Sequence, residues 1–68
     1  MKELFKVNYV INDKGCLYAP QSKEIPVKKG EKVKDILSIE LNKYRKAMNL
    51  SKDFTFEIVS FKFIGYLK

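Results

Sequence analysis

The chain has no histidine, no tryptophan and a single cysteine, Cys16, among its 68 residues. Each absence removes a class of chemistry. Without histidine there is no ready general acid or base near neutral pH. Cys16 therefore has no imidazole partner to make it a nucleophile. One thiol cannot close an internal disulfide, and a zinc site needs more sulfur or imidazole than this chain offers. The three glycines, Gly15, Gly30 and Gly65, fall in no phosphate-cradling pattern. The reading is a non-enzymatic protein with no metal and no cofactor, and a lone thiol fits a reducing, cytoplasmic setting.

Long apolar runs are also missing. The longest is four residues, Cys16 to Ala19, against the roughly 20 that a membrane helix needs. The first residues, Met1-Lys2-Glu3-Leu4-Phe5-Lys6, carry charge where an export signal needs an apolar stretch. The expectation is a chain that neither spans a membrane nor leaves by such a signal. Its length allows one domain, residues 1–68, with a single small core. A hydrophobic share of 46% with 13% aromatics is too rich for a disordered chain.

Arginine is nearly absent as well. Lysine plus arginine outnumber aspartate plus glutamate 14 to 8, giving a net charge of +6, yet Arg45 is the only arginine. A positive field points to nucleic acid or an acidic protein surface as partner. Base and phosphate readers, however, usually lean on arginine's planar fork. An AT-rich genome accounts for lysine in place of arginine, though not for the excess of positive charge.

Phe5, Val7, Tyr9 and Ile11 alternate with Lys6 and Asn8, the pattern of a half-buried strand. Asn12-Asp13-Lys14-Gly15 is a turn signal, and Cys16 to Ala19 resume the strand, so residues 3–19 read as a hairpin. Pro20 and Pro26 each remove a ladder donor, which makes the second strand an edge, bent or bulged near Pro20. A helix is expected over residues 31–48, with Val33, Ile36, Leu37, Leu41, Tyr44, Ala47 and Met48 on one arc. Glu31 and Asp35 early, and Lys43, Arg45 and Lys46 late, suit the helix dipole.

Phe54, Phe56 and Ile58 begin a final strand whose alternation slips a phase before Phe61 and Phe63. The order β-β-α-β predicts a two-layer α+β domain, a three-stranded sheet with one helix on one face. A crossover connection would set the last strand parallel to the first, which is central. The stretch Val27-Lys28-Lys29-Gly30-Glu31-Lys32-Val33 after a hairpin resembles the helix start of β-grasp (ubiquitin-like) domains. That resemblance implies an alternative fold and no functional residue.

Three features bear on function. Glu40 falls at about 340° on the helical wheel counted from Val33, inside the apolar arc, as a polar contact in the core, a residue kept for a partner, or a side chain snorkelling past Tyr44. Ile39 falls on the polar side near Lys32, Lys43 and Lys46, a candidate contact stripe. The phase slip matters most. In a regular strand, Phe61 and Phe63 turn away from the helix and join Leu4 and Val10 on a bare face beside Lys6 and Lys62. With a β-bulge near Val59 they return to the core side.

A bare aromatic face among lysines suits stacking of unpaired bases, or a protein interface. The first reading is nucleic-acid binding through Lys6, Lys32, Lys43, Lys46, Phe61, Lys62 and Phe63. The alternative is a protein-interaction module: a homodimeric adaptor, or a small inhibitor of a host protein of the kind compact phage or bacterial genomes encode.

Overall fold

The computed structural model describes residues 1–67. Five elements follow in order: β1 (Lys2–Asp13), β2 (Cys16–Leu17), β3 (Gln21–Val27), α1 (Val33–Lys43) and β4 (Thr55–Leu67). They form one antiparallel sheet with a helix on one side, an α+β fold. β1 is central: β4 pairs along one flank, while β3 and the short β2 share the other.

The hairpin turns at Lys14 and Gly15, both at positive φ (54° and 82°). Two such residues make a turn whose twist matches that of the flanking strands. The second arm breaks at Tyr18–Pro20, because Pro20 has no N–H to offer the ladder. The sheet therefore has four strands where the pattern suggested three.

β4 lies antiparallel to β1, which corrects the parallel expectation. The helix connects β3 to β4, so it is β3 whose direction β4 repeats. The hairpin had already reversed β3 against β1.

The helix ends at Lys43, five residues before its predicted end. The Arg45 N–H bonds back to the Asn42 carbonyl, and Asn49 sits at φ 57°. The Arg45 guanidinium donates to the Leu50 carbonyl at 3.2 Å and closes the turn. That turn drops Leu50 into the core and leaves Ala47 exposed.

Val7, Tyr9 and Ile11 of β1, Ile25 and Val27 of β3, Leu37 and Leu41 of α1, and Leu50 make the buried core. Asp13, buried at the end of β1, accepts hydrogen bonds from the Ser51 backbone N–H (3.1 Å) and the Ser51 hydroxyl. This clasp ties the hairpin turn to the segment leading into β4. The Ser51 hydroxyl first, and its N–H second, hold the Asp13 carboxyl below its ordinary pKa. Burial pushes the Tyr9 phenol up, while its hydroxyl donates to Gln21 Oε1 at 3.3 Å.

Candidate interaction surface

The site begins with two irregularities in β4. Asn8 pairs with Ser60 and Tyr9 with Ile58, so Val59 is an extra residue bulged out of the ladder. Leu4 pairs with Gly65 and Phe5 with Phe63, so Ile64 is a second one. Each bulge resets the two-residue period by one. Partners in an antiparallel pair share a face, so Phe56, Ile58, Phe61, Phe63 and Tyr66 all face the side of Ile11, Tyr9, Val7, Phe5 and Glu3. That is the core side, where the helix lies.

The phase slip is thus a bulge at Val59, the second of the two alternatives the sequence left open, and Phe61 and Phe63 lie on the core side and not on the far face. The two rings nevertheless remain in the open: Phe61 is 55% exposed, Phe63 44% and Tyr66 62%. The reason is cover. The helix is only about 16 Å long at 1.5 Å per residue, and it packs chiefly on β3. β4 runs down the flank of β1 opposite β3, in a molecule 37 Å long. The second half of β4 lies beside the helix and not beneath it.

Four rings gather there. Phe5 meets Phe61 and Phe63 edge to face, each at 5.8 Å between centroids, and Phe63 meets Tyr66 the same way at 5.1 Å. At ~150–250 Å² per aromatic side chain, the exposed shares of Phe61, Phe63 and Tyr66 amount to roughly 300 Å². A contiguous patch of that size is often functional. Phe5 and Tyr66 are the members that sequence reasoning missed. Phe5 read as core from its alternation, and Tyr66 is aligned only by the second bulge, which no pattern signals.

The lysines are elsewhere. Lys6 and Lys62 pair with each other on the opposite face, with Glu24 on the other side of Lys6. Leu4 and Val10 also lie on that face, as expected, although polar Asn8, Ser22 and Ser60 separate them. Lys32 is the N-cap of the helix and Lys43 its last residue, while Lys46 falls in the turn beyond. Ile39 is 62% exposed on the helix. The predicted site residues thus form three separate groups: aromatics on the helix side, Lys6 with Lys62 on the far face, and the helix lysines with Ile39. Lys28 and Lys29, exposed just past Val27, and Lys2, opposite Leu67 on the far face, are the described lysines at the aromatic end of the sheet, since Val27, Glu3 and Tyr66 form one row.

Glu40 is a polar contact at the margin of the helix–sheet layer. Its carboxylate lies 3.7 Å from Lys23 Nζ, and the same ammonium sits 4.6 Å above the Tyr44 ring. Half-exposed pairs of this kind contribute only about 0.2–1 kcal/mol. Cys16 is exposed beside the hairpin turn. A shallow depression of about 300 Å³ is lined by Val10, Asn12, Leu17, Thr55, Phe56 and Glu57. Its one ionisable group, Glu57, has no partner of the kind acid–base catalysis needs. Among the described residues no His/Cys/Asp/Glu group could hold a metal ion, and no helix is long and apolar enough to cross a membrane. No family model, curated protein or solved structure matches the chain.

Proposed function

We propose that the protein is a small non-enzymatic, cytoplasmic interaction module whose contact surface is the open aromatic end of the sheet, and that its partner there is a protein. The observation that carries this reading is the cluster of exposed Phe61, Phe63 and Tyr66 around a half-buried Phe5, with no lysine on the same face of β1 or β4. On those strands Glu3 is the one charged neighbour on that face. Such a surface gains affinity from apolar burial, which protein interfaces supply.

The second reading is a polyanion partner, either nucleic acid or an acidic protein surface. It draws support from the net charge of +6 and from Lys28 and Lys29 at the same end of the sheet. It suffers from geometry, because Lys6 and Lys62 point away from the rings they would have to complement. A strand of stacked bases needs cations along its own path.

A photo-crosslinking aromatic amino acid in place of Tyr66, with Ile39 replaced as the control, decides between them in the native host. The proposal expects a protein adduct at position 66 that resists nuclease and is absent at 39. An adduct removed by nuclease, or none at 66, overturns it.

A further inference from the structure

We infer that the partner of the aromatic end is a second copy of this chain, joined by antiparallel pairing of the two β4 edges about a two-fold axis. This deepens the interaction reading above and rests on it.

The first argument is the asymmetry of the two sheet edges. Exposed edges are normally blunted by charge, proline, shortness or bulges. β3 carries charge and proline, with Lys23, Glu24 and Pro26 in seven residues, whereas β4 relies on Lys62 and its two bulges. β4 is 13 residues long and has no proline. From Ile58 to Leu67 its only charged residue is Lys62. The aromatics lie on one face of this stretch, Leu67 shares the opposite face with Lys2, and the bulged Val59 and Ile64 are exposed as well. The far face of this stretch carries Ser60, Lys62 and Gly65 before Leu67, so its apolar surface lies on the helix side, along a strand that has a neighbour on one flank only.

The second argument is area. The rings alone expose roughly 300 Å², well short of the ~800 Å² per partner of a standard stable interface. Pairing along the β4 edge adds contact from the exposed Val59, Ile64 and Leu67 and a row of backbone hydrogen bonds. The third argument is symmetry. A two-fold axis perpendicular to the sheet keeps both helices on one side and sets the two aromatic patches next to each other between them. The contact is self-complementary and closed, so it ends at two copies. Lys62 points to the far face, so its charge stays in solvent.

Each copy brings +6, so the two repel, and salt must strengthen the assembly. Raising ionic strength from about 0.01 M to about 0.15 M shortens the Debye length from about 30 Å to about 8 Å. Polyanion binding has the opposite dependence.

Sedimentation velocity on the full chain carrying Cys16→Ser, which removes disulfide artefacts, tests the inference. The expected mass is twice 8.0 kDa, with the dimer fraction rising with salt. Tyr66→Lys and Phe61→Lys each place an ammonium in the seam and weaken dimerisation roughly tenfold or more, with circular dichroism confirming the fold. Ile39→Lys leaves the dimer intact. A mass of 8.0 kDa throughout, dimers that weaken with salt, or folded seam variants that remain dimeric would overturn it. A monomer whose position 66 still crosslinks to a different protein removes self-pairing alone and leaves the interaction reading standing.

Discussion

Lys6 and Lys62 sit directly opposite each other on β1 and β4, and like charges in that position are destabilising. Replacing Lys62 with glutamate removes one repulsion and creates one attraction, and it leaves the Lys6–Glu24 pair in place. Each change is worth about 0.2–1 kcal/mol in a cross-strand pair, so Lys62→Glu gains about 0.4–2 kcal/mol. Both side chains are exposed, which puts the expectation in the lower half of that range. For a domain of this size, 1 kcal/mol moves Tm by about 4–8 °C, so the shift is a few degrees upward. Thermal unfolding followed by circular dichroism at low salt reads it. The gain should shrink as salt screens the pair, and it should vanish in a Lys6→Ala background. A loss of stability, or an equal gain without Lys6, would refute the β1–β4 register. The placement of Phe61 and Phe63 would fall with it, since they lie on the face opposite Lys62.

Leu37 of α1 is fully buried in the core, so Leu37→Ala should cost about 2–5 kcal/mol by urea denaturation. A domain this short holds only about 3–10 kcal/mol in all, which leaves that variant at the edge of unfolding. Ser51→Ala should destabilise at neutral pH by releasing the Asp13 clasp. Asp13 is held below its ordinary pKa, so this contribution is present above the unfolded-state value and disappears as pH falls through the folded one. The urea midpoints of wild type and Ser51→Ala should therefore converge in acid; a constant gap would contradict the linkage. Deleting Val59 removes a bulged residue and leaves the pairs on both sides in register. The variant should fold with Phe61 still beside Phe5 in nuclear Overhauser spectra, and a ring moved to the far face would refute the bulge.

Much of the architecture was legible because it follows from local rules. The alternation in β1, the Lys14-Gly15 turn, the two prolines of the second arm and the arc from Val33 to Leu41 each fix an element. The direction of β4 was legible too, had the crossover been counted from β3. The helix end was harder, because the apolar arc continues through Ala47 and Met48. What stops the helix is a tertiary demand to return Leu50 to the core, met by Arg45 and Asn49. The candidate surface was legible only in part. The sequence shows a phase slip but not which residue bulges, and the Ile64 bulge leaves no trace in the pattern. The exposure of Phe61 and Phe63 depends on where a short helix lies across the sheet, and no property of β4 itself determines that.

The side of the sheet on which the aromatic cluster stands can be read directly from nuclear Overhauser contacts of the Phe61 ring in the intact protein. The account predicts contacts to the Phe5 ring and the Val7 methyls, with line broadening of Phe61 and Tyr66 by a soluble paramagnetic probe when the protein is dilute enough to be monomeric. Contacts from Phe61 to Lys6 or Asn8 side chains, or a ring shielded from the probe under those conditions, would contradict it.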